Sequence, residues 1–207
     1  MKSDEYTKKH WEEVYTGKSD EEVSWFEGKP STSLDIIASL DLPKDSSIID
    51  IGGGNSNLIS HLLKNGYNNL SILDISENAL QRTKSKLGKS ATKVQWINSD
   101  ILNFEPTQDF ELWHDRATFH FFTREEDILK YIDILGRSLK TGAYFILATF
   151  STTGPKRCSG LEIAQYSPEK LKELFKVDFT LLESFEKIHK TPFKTEQNFI
   201  YNLFQKK

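Results

Sequence analysis

The stretch Ile48-Ile49-Asp50-Ile51-Gly52-Gly53-Gly54-Asn55-Ser56 runs from an apolar segment into three consecutive glycines. About 20 residues after this loop, the apolar segment Ser71-Ile72-Leu73 ends in Asp74. This spacing is typical of a strand–helix–strand unit that binds a nucleoside at the ends of its strands. Glycines let the backbone approach a ligand closely, and a carboxylate after the second strand can accept hydrogen bonds from ribose hydroxyls.

The rest of the chain alternates between predicted strands and helices. We predict strands at about 46–51, 69–73, 93–97, 109–114 and 143–150. Helices are predicted between them, at about 56–65, 76–87 and 118–140. Such alternation indicates an α/β fold, a mostly parallel sheet with helices on both faces. Two strands at about 179–188 and 197–205 follow without a helix between them and should pair antiparallel, giving seven strands with the last antiparallel.

Several helix ends carry recognisable signals. Ser31 or Ser33 is expected to cap a helix that contains Leu34 and Ile37. The long helix at 118–140 is expected to begin with the capping box of Thr123 and Glu126 and to stop at Thr141-Gly142. Ser167-Pro168 predicts the start of a short helix near the end of the chain.

No linker or repeat divides the sequence, so we expect one domain over residues 1–207. Residues 1–29 would form a lid segment, because Tyr6, Trp11 and Tyr15 share one helical face. We expect a cofactor-binding core at 30–150 and, at 151–207, an acceptor-side loop followed by the closing antiparallel strands.

The composition excludes several classes of protein. There are 27 Lys+Arg against 30 Asp+Glu, so the net charge is −3 and no basic field favours nucleic acid. The single cysteine, Cys158, allows neither an intramolecular disulfide nor a cysteine-based zinc site, and we expect no metal. No apolar stretch is long enough for a membrane span, and the N-terminus lacks a signal-peptide core. We therefore expect a cytoplasmic protein without a membrane partner.

Details of the glycine loop favour one kind of ligand. No lysine follows the glycines, which excludes a P-loop, and Asn57 stands where a dinucleotide-binding loop usually has its third glycine. Asp50, two residues before Gly52, would repel a pyrophosphate but suit a ligand that carries an ammonium group.

At these positions the sequence resembles the class I S-adenosylmethionine-dependent methyltransferases. The first motif of that superfamily, an acid followed by two alternating glycines, matches Asp50, Gly52 and Gly54, and its acid after the second strand matches Asp74. An acid after the third strand matches Asp100, although an aspartate there is also a common turn former. The resemblance spans residues 30–205 and implies a Rossmann-like sheet, S-adenosyl-L-methionine as cofactor and methyl transfer as the reaction.

The resemblance also implies the cofactor-binding residues. Asp50 would face the amino-acid end, Asp74 the ribose and Asp100 the adenine amino group, while Ile75 and Ile101 would enclose the adenine ring. The loop that would admit the cofactor is Gly52, Gly53, Gly54 and Asn55.

The end of the fourth strand should face the methyl acceptor. Methyl transfer requires alignment of the nucleophile and, for some acceptors, removal of a proton. Asp115 could orient the acceptor, act as base or contact the cofactor, but a salt bridge with Arg116 or a helix cap explains it equally well. His120 could take a proton near neutral pH or could be a core histidine. We take Asp115, Arg116 and His120 as the candidate catalytic residues, with Phe119 beside them.

Two local likenesses point to different acceptors. The segment Asp115-Arg116-Ala117-Thr118-Phe119 is similar to the Asp-Arg-Gly-Ala-Leu segment of thiopurine and thiol methyltransferases, which implies a small acceptor and an Arg116 that faces an anion or supports the cofactor. The chain departs from that family in its first motif, where Asp50-Ile51-Gly52 is more acidic.

The N-terminal segment has a second likeness. His10-Trp11-Glu12-Glu13-Val14-Tyr15 and Ser24-Trp25-Phe26 resemble the entry of small protein-lysine methyltransferases, in which this segment closes over the cofactor. Trp11, Tyr15 and Trp25 are therefore expected to form a lid helix and its continuation, which shield the sulfonium.

Nucleic-acid acceptors are not expected, because the chain lacks both the Asn/Asp-Pro-Pro-aromatic motif and the Pro-Cys nucleophile at the fourth strand. A small molecule is our first expectation for the acceptor and a protein lysine the second. A protein that binds S-adenosylmethionine without catalysis is the alternative of another class. No oligomeric state is predicted.

Overall fold

A computed structural model describes residues 4–207, so the first three residues of the predicted lid segment lie outside it. The helices are α1 (Asp4–Gly17), α2 (Ser31–Ser39), α3 (Leu58–Lys64), α4 (Glu77–Leu87), α5 (Glu125–Ser138) and α6 (Pro168–Phe175). The strands are β1 (Ile48–Ile51), β2 (Leu70–Asp74), β3 (Val94–Asn98), β4 (Phe110–Arg116), β5 (Leu139–Phe150), β6 (Arg157–Cys158), β7 (Leu161–Glu162), β8 (Phe179–Lys190) and β9 (Glu196–Lys206).

Seven strands form one sheet in the order β3-β2-β1-β4-β5-β9-β8. Strands β1 to β5 pair in parallel, and β9 lies antiparallel between β5 and β8. The predicted α/β class, strand number and antiparallel last strand are confirmed. The order reverses between β1 and β4, and ligands bind open α/β sheets at such a switch point, outside the carboxyl ends of the strands.

Helices pack on both faces of the sheet, as predicted, and each face has its own apolar core. The core beneath α2, α3 and α4 includes Ile37, Ile48, Leu62, Ile72 and Leu80. The core beneath α5 and α6 includes Trp113, Tyr131, Leu135, Phe145 and Phe175. Successive side chains of a strand point to opposite faces, so β1 contributes Ile48 to one core and Ile49 to the other.

The predicted helix at 118–140 is wrong at both ends. α5 begins only at Glu125, with Arg124 rather than Thr123 at the N-cap, because the preceding residues turn tightly around the buried ring of Phe119. α5 ends at Ser138, and Thr141-Gly142 lies within β5 instead of terminating the helix. Leu139 already pairs with β4, and the side chain of Lys206 donates to the carbonyl of Leu139, so that the chain enters the sheet early.

The predicted cap of α2 is also wrong. Pro30 occupies the N-cap, and Ser33 is buried, with its Oγ 2.8 Å from His114 Nε2. At α6 the prediction is confirmed: Ser167 accepts the backbone N–H of Lys170, and Pro168 takes the first helical position. The small β6–β7 hairpin was not predicted. Within the described residues, none of the helices has the length and apolar character that crossing a bilayer requires.

We predict that Phe145→Ala lowers the free energy of unfolding by about 3–5 kcal/mol, because it leaves a cavity among packed aromatic rings. Phe145 is fully buried, and its ring centroid lies 5.2 Å from that of Phe175 and 5.6 Å from that of Phe204. The matched control is Phe193→Ala, since Phe193 is 56% exposed and should change stability by less than about 0.5 kcal/mol. Urea unfolding measures both, and equal losses would contradict this description of the core.

Candidate functional site

A cleft lies where the carboxyl ends of β1, β2, β3 and β4 meet beneath α1. It has a cavity volume of about 120 Å³ and is partly open to solvent. The residues that line it include Trp11, Tyr15, Trp25, Asp74, Asp100 and Ile101. A second cleft, with a cavity volume of about 50 Å³, shares the wall formed by Tyr15, Trp25, Gly52 and Arg116 and extends towards Asp50.

The glycine loop lies close to neighbouring side chains of the protein. Gly52 has a φ of +64°, a conformation that other residues adopt rarely, and a Cβ there would lie 2.0 Å from Thr118 Oγ1. A Cβ at Gly53 would lie 2.2 Å from Asp50 Oδ2. Side chains at Gly52 and Gly53 would therefore collide with Thr118 and Asp50.

Asp74 ends β2 and is buried in the floor of the cleft. Its Oδ2 accepts the backbone N–H of Gly54 at 2.9 Å, and its Oδ1 accepts that of Ser76 at 2.8 Å. Burial raises the pKa of this carboxyl to about 6, although both hydrogen bonds oppose that shift. Its oxygens keep acceptor capacity towards the cleft that they line.

Asp50 lies in the second cleft with only one oxygen satisfied. Its Oδ1 lies 2.7 Å from His114 Nδ1, and the other ring nitrogen of His114 contacts Ser33. Its Oδ2 has no hydrogen-bond partner among the described residues. A buried oxygen without a donor is costly, so this atom is suited to accept from a ligand that carries N–H groups.

Asp100, Ile75 and Ile101 also line the cleft, at its β2–β3 end. Asp100 caps the turn after β3, because its Oδ1 accepts the backbone N–H of Leu102 at 2.9 Å. The structure thus brings the three predicted acids and both predicted isoleucines to one edge of the sheet. Asn55 is placed differently: its amide bonds Asp20 and Lys86 on the far side of the loop, so only the second cleft includes it.

The predicted lid residues form an aromatic wall. The ring centroid of Trp11 lies 5.9 Å from that of Trp25 and 5.1 Å from that of Phe121, and Tyr15 lies 6.2 Å from Trp25. All four rings line the cleft, with Trp11 and Tyr15 projecting from α1. The cleft is therefore closed from above by apolar, polarizable surface.

Arg116 is engaged within the protein rather than free to bind an anionic acceptor. Its Nη1 donates to the carbonyl of Trp25 at 2.9 Å, and its Nε donates to the hydroxyl of Tyr201 at 3.1 Å. Its Nη2 forms an ion pair with Glu27 Oε1 at 3.1 Å. The predicted anion-binding role is not supported, because the charge of Arg116 is already balanced by Glu27.

Asp115 does not reach the cleft, contrary to the catalytic and cofactor-binding roles that we expected. Both of its oxygens accept hydrogen bonds in the core, from the hydroxyl of Tyr131 at 2.7 Å and from the backbone N–H groups of Thr118 and Phe119. Burial raises the pKa of Asp115 to about 6. Of the two structural alternatives, a cap of the following turn is the one observed.

His120 is likewise a core residue rather than a base in contact with the acceptor. It is fully buried, and its ring stacks on Phe150 with centroids 4.6 Å apart. Burial, assisted by the charge of Arg116, lowers its pKa to about 3, so that the imidazole is neutral. Among the described residues neither ring nitrogen has a hydrogen-bond partner.

Cys158 lines the cleft from β6, and burial raises the pKa of its thiol to about 12. A thiol of that pKa is not a nucleophile near neutral pH. Within residues 4–207 no group of three or more His, Cys, Asp and Glu side chains is arranged to hold a metal ion.

Sequence reasoning missed His114, Glu12 and Phe121. His114 could have been found, because it lies opposite Asp50 in the β1–β4 register and adjacent parallel strands bring such residues together. Phe121 follows β4 in a segment that we had assigned to a helix. Glu12 lies on α1, and its hydrogen-bond partners begin α4 about 60 residues later. No local sequence pattern therefore predicts this contact.

Comparison with known proteins supports one family. A family model described as a methyltransferase domain matches residues 48–142. The EEF1A lysine methyltransferase 2 of Homo sapiens is 27% identical over 163 residues, covering 71% of this chain and 69% of that protein. Malonyl-(acyl-carrier protein) O-methyltransferase 2 of Ilyobacter polytropus is 28% identical over 106 residues, covering 50% of this chain and 39% of that protein.

A solved structure shares the fold over most of the chain. The 1,6-didemethyltoxoflavin-N1-methyltransferase of Burkholderia thailandensis, with bound 1,6-didemethyltoxoflavin and S-adenosylhomocysteine, has a TM-score of 0.70 at 16% identity. The match covers 97% of this chain and 84% of that one. The sequence and the fold of this chain are thus similar to those of S-adenosylmethionine-dependent methyltransferases, which supports methyl transfer as its reaction and S-adenosylmethionine as its cofactor.

We predict that Gly53→Ala lowers the free energy of unfolding by about 1–3 kcal/mol, because the new Cβ must displace the buried carboxylate of Asp50 from His114. Gly28→Ala is the matched control: a Cβ at Gly28 meets nothing within 4 Å, and the backbone there is not left-handed. Thermal unfolding of both variants provides the measurement. Equal losses of stability in the two variants would contradict a tight loop at Gly53.

Proposed function

We propose that this methyltransferase transfers the methyl group of its cofactor to the amino group of a lysine side chain in another protein. The proposal rests on the composition of the cleft wall at the carboxyl end of β4. That wall is aromatic, and its described residues include no side chain that could remove a proton near neutral pH. Such a site suits an acceptor that presents its own lone pair.

In the proposed arrangement the cofactor lies along the strand ends. Asp74 would accept the ribose hydroxyls, and Asp100, with Ile75 and Ile101, would hold the adenine. The support is their common position on the cleft, the residual acceptor capacity of Asp74 and the close backbone approach at Gly52. When bound, the cofactor supplies a methyl group on a positively charged sulfur.

The amino-acid end of the cofactor would enter the second cleft. Two buried carboxylate oxygens there, Asp50 Oδ2 and Glu27 Oε2, have no hydrogen-bond partner among the described residues. An ammonium group donates three hydrogen bonds and could satisfy both.

The acceptor would then approach beside Ala117, Thr118 and Phe121, where β4 ends. Burial raises the pKa of Tyr15 well above its usual value and that of Cys158 to about 12, so neither can act as base. An ammonium group that enters an apolar cleft loses hydration, which lowers its pKa, so that it releases a proton to water and becomes a neutral amine with a free lone pair. The faces of Trp11 and Trp25 stabilise the cation that remains after transfer.

The likeness to the human EEF1A lysine methyltransferase 2 supports a lysine acceptor. A small-molecule acceptor, our first expectation from sequence, is the second candidate. It is favoured by the enclosure of the cleft beneath α1, where the ring centroid of Trp11 lies 5.1 Å from that of Phe121.

The decisive experiment supplies methyl-tritiated S-adenosylmethionine and a cell lysate that has been divided by ultrafiltration into proteins and small molecules. We expect label in a discrete protein band, and hydrolysis of that band should yield methylated lysine. Asp74→Asn serves as the control variant, because it should lose most of the transfer by weakening cofactor binding.

Label that appears only in the small-molecule fraction would replace this proposal with the second candidate. Label in neither fraction, with cofactor binding retained in calorimetry, would favour the binding protein without catalysis.

A further inference from the structure

α1 lies over the cleft although little of it is buried. Thr7, Trp11 and Tyr15 reach down to the cleft, yet among the described α1 side chains only Tyr15 is fully enclosed. A helix with so few buried contacts belongs to the weakly held parts of a fold. Its position therefore depends strongly on any additional polar contact.

Glu12 provides such a contact. Its Oε1 accepts the backbone N–H of Glu77 at 2.7 Å, and its Oε2 accepts the hydroxyl of Ser76 at 2.9 Å and the N–H of Asn78 at 3.2 Å. Thr16, one turn later on α1, accepts from the side-chain amide of Asn78 at 2.9 Å. The carboxylate of Glu12 thus caps the N-terminus of α4 from another helix, where negative charge is stabilising.

The contact is directly connected to the floor of the cleft through Ser76. The backbone N–H of Ser76 donates to Asp74, while its hydroxyl donates to Glu12. One residue therefore joins α1, the start of α4 and the carboxylate proposed to hold the ribose.

α4 does not need Glu12 in order to form. Ser76 Oγ accepts the N–H of Ala79 at 3.2 Å, which is the ordinary local cap of this helix. Loss of the Glu12 contact should consequently free α1 and leave α4 and the sheet in place.

We propose that Glu12 is a positioning residue that fastens α1 over the cofactor cleft and thereby sets how long the cofactor stays bound. Trp11 directly precedes Glu12 and Tyr15 follows it by three residues, so the fastening holds both rings in the aromatic wall. Because closure of α1 retains the cofactor, bound cofactor in turn holds α1 closed, as reciprocal coupling requires. This inference rests on the cofactor site proposed above.

The test compares Glu12→Gln with Glu13→Gln. Glu13 is the neighbouring acid on α1; its side chain is 67% exposed, and the ion pair it forms is the 4.0 Å contact with Lys9. For Glu12→Gln we expect S-adenosylmethionine to dissociate about tenfold faster, with affinity reduced in proportion, because a charge-assisted cap is lost. We expect both values to stay at the wild-type level in Glu13→Gln.

Hydrogen exchange on the cofactor-free protein separates this inference from the proposed function. The α1 amides of Glu12→Gln should exchange faster than those of wild type and of Glu13→Gln, while the amides of α4 and the melting temperature remain close to wild type. If α1 exchange and cofactor dissociation match those of the control, Glu12 is not the fastening. If wild type binds no S-adenosylmethionine but the α1 amides of Glu12→Gln still exchange faster, the proposed cofactor site is wrong. The role of Glu12 in holding α1 against α4 is then still supported.

Discussion

The carboxylate of Asp74 joins three parts of the chain. One oxygen accepts the N–H of Gly54 in the loop after β1, and the other accepts that of Ser76 before α4. A Cβ at Gly54 would lie 2.7 Å from this carboxylate, so the buried position of Asp74 requires a glycine at position 54. The floor of the cleft is therefore built around one buried, hydrogen-bonded charge.

Such a charge opposes folding. Burial raises the pKa of Asp74 from 3.8 to about 6, so its contribution to stability falls as pH rises through that interval. The second cleft has the same character, since Asp50 Oδ2 and Glu27 Oε2 are buried without donors. Apolar side chains would make a more stable core, and the unsatisfied oxygens are consistent with the proposed binding of a ligand that carries donors. A cofactor with ribose hydroxyls and an ammonium group fits both sites.

The sequence predicted the parts of the site that depend on local pattern. Asp50 and Asp74 stand at strand ends within one strand–loop–helix–strand unit, so their spacing alone places them at one edge. The predicted positions of Asp115 and His120 were wrong for different reasons. Asp115 lies within β4, which points its side chain into the core beneath α5 and α6, and His120 lies in the tight turn that buries Phe119. Glu12 was overlooked because its contact forms only when α1 packs against α4.

The most direct test is calorimetric measurement of S-adenosylmethionine affinity between about pH 5 and 7.5, with wild type and Asp74→Asn. We propose that ionised Asp74 accepts the ribose hydroxyls, and on that proposal wild-type affinity should be constant above about pH 6 and fall up to tenfold per pH unit below it. Asp74→Asn should bind about tenfold or more weakly at pH 7.5, without that decline. Asp115 has a similar pKa and is retained in the variant, so its contribution cancels. Equal affinity and equal pH dependence of the two proteins would contradict the account.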